Sequence, residues 1–157
     1  MRKVLKFGGT SVGCAETLER AVGILREELV SGGVVVVSAL SGTTDGILRA
    51  VEAAARGERA SALERADALG RRHRAVAWEL GLWERVEPFW TLEFQRLTGF
   101  LEGMGLLWEA SPRARDAALA VGETLSAHLM VALLEARGLR ARFMDVRSVM
   151  RTDGRHG

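Results

Sequence analysis

Lys6-Phe7-Gly8-Gly9-Thr10-Ser11 follows the apolar pair Val4-Leu5 and runs into a helical pattern that starts near Cys14, and this order of strand, glycine turn and helix decides the fold. Two adjacent glycines let backbone N–H groups approach an anion without interference from Cβ atoms, and a helix behind them aims its positive dipole end at the same place. Phosphate suits such a turn. Lys6 adds a flexible point charge, and Thr10 and Ser11 add hydroxyls that can donate to phosphate oxygens or cap the helix. The better-known phosphate loops do not fit: Gly8 and Gly13 have Walker spacing, but Cys14-Ala15 stands where Lys-Ser/Thr would be needed. Taken alone, Gly-Gly-Thr-Ser also reads as a tight turn followed by an N-cap.

Working outward, residues 2–6 read as a first strand, and residues 15–30 place Leu18, Val22, Leu25 and Leu29 on one helix face. Ser31-Gly32-Gly33 ends that helix. The run Val34-Val35-Val36-Val37 has no polar alternation, which predicts a strand buried on both faces of a parallel sheet. The resulting βαβ unit predicts a right-handed crossover and a ligand crevice beyond the carboxyl ends of the strands, where Gly8-Gly9 and Ser38 both fall. The hydroxyl-rich loop of residues 38–46 repeats the logic of the first and leads into a helix over about 47–56, with Thr44 or Asp45 as its simplest N-cap.

From Glu58 to Glu109 strand signals stop. One helical stripe carries Leu63, Ala66, Leu69, His73, Val76 and Leu80, and a second carries Trp83, Val86, Trp90, Phe94, Leu97, Leu101, Met104 and Trp108, with Pro88 able to kink or restart it. No basic groove accompanies these aromatics, so they read as core between paired helices, and His73 reads as structural. Ser111-Pro112 opens the next helix and Gly138 closes it. Within it, Gly122-Glu123 reads on residues alone as a helix junction beside a solvated acid. Residues 140–146 read as a third parallel strand.

Composition bounds the function classes. The 157 residues are 48% hydrophobic and 27% charged, ordinary for one globular core. The net charge is only +2 and basic residues are interleaved with acids, which argues against a nucleic-acid surface. There is no apolar run of membrane-spanning length and no signal-peptide pattern, and the one cysteine, Cys14, cannot form an internal disulfide. A cytoplasmic protein without a membrane or nucleic-acid partner is expected.

The full hexapeptide Lys6–Ser11 at the N-terminus resembles the opening signature of the aspartokinases, a branch of the amino-acid-kinase superfamily. The resemblance extends to Ser38 and Thr44, which match a Ser-Ala-x-x-x-x-Thr loop that contacts the amino acid in that family, with Asp45 standing where relatives often carry asparagine. It extends also to Gly122-Glu123-x-x-Ser126, whose glutamate contacts the ammonium of aspartate there. The helical stretch of about 58–110 is similar to the insertion of the long-insert aspartokinases, both the single-function lysine-pathway type and the type fused to homoserine dehydrogenase, whereas Phe143-Met144-Asp145-Val146-Arg147 and Met150-Arg151-Thr152-Asp153 resemble the single-function, lysine-sensitive type more than the fused one. The resemblance covers nearly every residue, but only the first half of that family's kinase domain.

It implies an α/β, three-layer αβα amino-acid-kinase fold with a mostly parallel sheet and a helical insertion, incomplete in residues 1–157. It further implies ATP-dependent phosphorylation of L-aspartate to 4-phospho-L-aspartate, the first step toward lysine, threonine and methionine. Lys6, Phe7, Gly8, Gly9, Thr10 and Ser11 would hold the nucleotide phosphates, with Lys6 catalytic. Ser38, Thr44 and Glu123 would hold the substrate. Mg²⁺ would arrive with ATP rather than on a protein metal site, and the full-length enzyme would be a homo-oligomer. Residues 1–157 alone are expected to be inactive. Two alternatives are a non-catalytic module pairing with a full-length kinase subunit, and a kinase of the same fold acting on another acid.

Overall fold

The computed structural model describes residues 3–150. Strand β1 (Lys3–Phe7) and strand β2 (Gly33–Val37) pair in parallel, with Lys6 opposite Val36 and Phe7 opposite Val37. Between them the chain makes a short 3₁₀ turn, Gly9–Val12, and then helix α1 (Ala15–Glu28). Arg2 of the expected first strand lies outside the described residues, as do Arg151, Thr152 and Asp153 of the expected C-terminal motif.

Helix α1 buries Leu18, Val22 and Leu25 against the sheet, as their spacing predicts. Its start is fixed locally: the Cys14 N–H donates to Thr17 Oγ1 at 3.1 Å, and the Thr17 hydroxyl donates to the Cys14 carbonyl at 3.0 Å. The expected direct passage from glycine pair to helix is therefore corrected. A 3₁₀ turn intervenes, so neither Thr10 nor Ser11 caps α1.

Four further helices follow: α2 (Thr43–Ala55), α3 (Arg59–Glu79), α4 (Trp83–Leu107) and α5 (Pro112–Ala136). Helix α2 begins earlier than the sequence suggests. Its N-cap is Gly42 in the left-handed region, and Thr44 and Asp45 lie inside the first turn instead of capping it. Ser111 caps α5 as expected, accepting from the Ala114 N–H at 3.3 Å with Pro112 at the first helical position.

Helix α5 joins two cores. Its Leu129, Met130 and Leu133 pack with Phe7, Leu18, Leu25 and Val76, and its Ala118, Val121 and Leu125 pack with Ile47, Val51, Leu97 and Leu101 from α2 and α4. Each fully buried leucine contributes about 1.5–3 kcal/mol of transfer free energy. Helix α5 is long and apolar enough to cross a membrane, with a mean hydropathy of 1.6 over its most apolar window, but 56% of that window is buried inside the protein. Burial against both cores accounts for its apolar character.

The aromatic stripe of α4 is largely core, as expected. Trp90 stacks on Phe94 at 4.6 Å and meets Trp83 edge-on at 5.4 Å. Trp108 departs from it: this residue is 70% exposed, terminates α4 in the left-handed region and lies against Gly57. His73 is buried, with Nδ1 3.0 Å from the Leu69 carbonyl. Pro88 lies within α4 without ending it.

Two strand expectations need correction. Residues 140–146 form no strand among the described residues; Asp145 instead accepts from the Arg147 N–H at 2.9 Å and opens a 3₁₀ turn over Val146–Ser148. Strand β2 is covered on one face only. Val35 and Val37 pack on the core, whereas Val34 and Val36 are 45% and 44% exposed, because no described element lies over that side of the sheet.

Candidate functional site

The carboxyl ends of β1 and β2 bring two loops together. The Ser38 N–H donates to the Phe7 carbonyl at 3.0 Å, so the second loop leaves the sheet directly beside the first. A Cβ on Gly9 would stand 3.1 Å from the Ala39 carbonyl and 3.6 Å from the Ser41 Cα, and one on Gly13 would stand 3.2 Å from the Ser41 Cβ. Glycine is thus needed at position 9 for close approach rather than for an unusual dihedral.

Lys6 is exposed near the end of β1, with its ammonium 3.8 Å from where a Gly8 Cβ would be. Among the described residues it makes no ion pair. Lys3, by contrast, is occupied by Glu28 at 2.6 Å. Thr10 and Ser11 are exposed on the 3₁₀ turn, which the Ser11 N–H closes by donating to the Gly8 carbonyl at 2.9 Å. A free cation, exposed hydroxyls and a cradle that a Cβ would fill form a chemically suitable setting for phosphate oxygens.

Ser38 is half-buried and Thr44 exposed, both on the second loop or the turn it leads into. The neighbouring Thr43 is the buried one, and its Oγ1 has no partner among the described residues. Gly122, the residue before Glu123, lies inside α5 without breaking it. A Cβ there would come within 2.9 Å of Thr43 Cγ2 and 3.1 Å of the Ala39 Cβ, so the expected helix junction is corrected to a packing contact between α5 and the second loop. The Glu123 side chain is exposed, yet crowding around it desolvates the carboxyl and raises its pKa above the ordinary value, opposed only by its own backbone amide.

The sequence reading missed Arg72. This α3 residue donates from one guanidinium nitrogen to the Ser41 carbonyl, and from the other to the Gly13 carbonyl at 3.4 Å. An arginine on a polar helix face carries no sequence signal that it reaches two loops 31 and 59 residues away. No group of three His, Cys, Asp or Glu side chains able to hold a metal occurs among the described residues.

Residues 1–156 match the amino acid kinase family. An aspartokinase of Chlamydia muridarum is 35% identical over 150 residues, covering 96% of this chain and 31% of that protein. The lysine-sensitive aspartokinase 3 of Escherichia coli is 34% identical over 159 residues, covering 98% and 33%. The crystal structure of E. coli aspartokinase III with aspartate and ADP, in the R-state, superposes with a TM-score of 0.87 at 30% identity, covering 99% of this chain and 33% of that one. The same enzyme with lysine and aspartate, in the T-state, gives 0.85 at 31% identity, covering 98% and 33%. This chain spans about a third of the length of these relatives. The α/β fold, the parallel pairing of β1 with β2 and the match across 1–156 agree: the chain belongs to the amino acid kinase family.

Proposed function

We propose that this chain supplies the phosphate-holding loop and part of the amino-acid-holding surface of an aspartate kinase, which converts ATP and L-aspartate to ADP and 4-phospho-L-aspartate. One observation carries the proposal. The glycine turn after β1 and the hydroxyl loop after β2 are packed within van der Waals distance at one end of the sheet, as a reaction between two anions requires. The relatives' common description as aspartokinases, and the solved relative holding aspartate and ADP, support the choice of substrates.

The substrate's side-chain carboxylate is already a nucleophile, so no covalent enzyme intermediate is needed. Its oxygen bonds to the γ-phosphorus as the bond to the ADP oxygen breaks, and the work of the protein is to bring the two anions together and offset their charge. Lys6, the N–H groups of Gly8–Thr10 and the hydroxyls of Thr10 and Ser11 hold phosphate oxygens, while the Ser11 N–H closes the turn on the Gly8 carbonyl. Ser38, Thr44 and Glu123 hold aspartate, with Glu123 on its ammonium, because a second carboxylate would repel the substrate's own. Mg²⁺ carried in with the nucleotide would supply further neutralisation of the phosphate charge. The proposal includes the assignment of α3 and α4 as an insertion in the kinase domain, a cytoplasmic location and homo-oligomerisation of the whole protein.

The test is Lys6→Ala in the longest polypeptide in which these residues are encoded, with kcat read in a coupled assay for ADP. Losing a preorganised charge on the transferring group costs about 3 kcal/mol, roughly 10²-fold in rate, while aspartate affinity should change little. Near wild-type kcat would rule out the role given to Lys6.

A further inference from the structure

Arg72 is exposed on α3, an element outside both loops, yet its guanidinium fork ends on a carbonyl of each. We propose that Arg72 is a positioning residue that fixes the spacing between the Gly8–Gly13 turn and the Ser38–Gly42 loop. Arginine suits this task because its planar donors leave in fixed directions, so one side chain can hold two acceptors at a set separation. Lysine keeps the charge but concentrates its donors on one nitrogen.

The Ser38 N–H to Phe7 carbonyl bond joins the two loops where they leave the sheet, and Arg72 acts farther along them, at Ser41 and Gly13. Ser41 contributes the carbonyl that Arg72 grips, and its Cβ would lie 3.2 Å from a Cβ on Gly13, so the two loops approach closely at the residues that Arg72 bridges. A Cβ on Gly42 would stand 3.3 Å from the same guanidinium nitrogen, which places the side chain tightly over the start of α2. Hydrogen bonds from an exposed side chain add little to global stability. Their geometric effect is larger, since a displacement of about 1 Å between reacting groups can cost about 10²-fold in rate. Accepting from a cation also polarises the Ser41 and Gly13 peptides, making the N–H groups that follow better donors.

The effect on turnover rests on the proposed function, whereas the loop spacing can be read without any activity. The experiment compares Arg72→Gln and Arg72→Lys with wild type in the longest polypeptide encoding these residues, by hydrogen exchange and by steady-state kinetics. The reporter amides are Ser11, which donates to Gly8 at 2.9 Å, and Thr43, which donates to Leu40 at 2.9 Å. Both variants should exchange faster at both reporters, by about tenfold, while α4 amides keep their wild-type rates. Turnover should fall about 10–10²-fold with a much smaller change in KM for aspartate. Unchanged exchange at either loop, a uniform rise across all helices, an unaltered kcat with loosened loops, or a lysine variant that matches wild type would each overturn the proposal. A wild-type protein without aspartate-dependent ADP formation would defeat the functional reading, while the exchange data would still decide whether Arg72 joins the loops.

Discussion

The role proposed for Glu123 is not one that its position in a helix reveals. The side chain is exposed on α5, beside a glycine pressed against Thr43 and Ala39, and its carboxyl pKa is raised by desolvation. A carboxyl with a raised folded-state pKa opposes folding while it is ionised, and this penalty disappears as pH falls through that value. Glu123→Gln should therefore leave the melting temperature unchanged or slightly higher, and should raise KM for aspartate strongly by removing the partner of the ammonium. Paired thermal melts and steady-state kinetics check this. A large loss of stability with unchanged KM would instead make Glu123 structural. The hexapeptide and Gly-Glu-x-x-Ser were legible in sequence because they are contiguous. Arg72 was not, since its two partners are distant in the chain, and neither was the burial of Thr43 in place of Thr44, since α2 starts at a left-handed glycine instead of a polar cap.

Among the elements, α5 fixes the relation between the hydroxyl-rich second loop and both cores. Gly122 permits the close approach, and two effects compete when it is replaced by alanine. Helix propensity favours alanine by about 1 kcal/mol. The new methyl would lie 2.9 Å from Thr43 Cγ2 in a fully buried contact, and overpacking of this kind costs about 1–3 kcal/mol. The clash should win, so Gly122→Ala is expected to lower stability in chemical denaturation and to weaken aspartate binding by pushing the second loop outward. A more stable variant with wild-type KM would contradict this packing account. Helix existence was readable here from apolar spacing and from Ser111-Pro112, because α-helical contacts are local. The expected strand over 140–146 was misread, because a strand requires a pairing partner that no local pattern can supply, and the Asp145 side chain turns the backbone instead.

For the whole molecule, two histidines tie the packed helices to pH. His73 is buried and its pKa is lowered, first by desolvation, with the neighbouring Arg72 charge adding to this and the Leu69 carbonyl opposing it. His128 lies between the rings of Phe89 and Phe143, at 4.3 and 4.1 Å, and desolvation lowers its pKa against the opposing charge of Glu93. A histidine whose folded pKa is depressed binds its proton more readily in the unfolded chain. Stability is then complete above the unfolded value of about 6.5 and falls as pH drops below it. Denaturation midpoints should decline as pH falls below about 6.5, and His73→Gln should flatten that decline; a midpoint that does not fall on acidification would contradict the buried His73 and half-buried His128 as neutral imidazoles.

The central claim is that the two loops at the carboxyl end of the sheet serve phosphoryl transfer to aspartate. It is tested most directly by incubating the longest polypeptide encoding these residues with ATP, Mg²⁺ and L-aspartate, then trapping acyl phosphate with hydroxylamine while measuring ADP. The account predicts aspartyl hydroxamate and ADP in equal amounts, both dependent on aspartate and both suppressed in Lys6→Ala. ADP formation that ignores aspartate, or a clear preference for another acid such as glutamate, would contradict it.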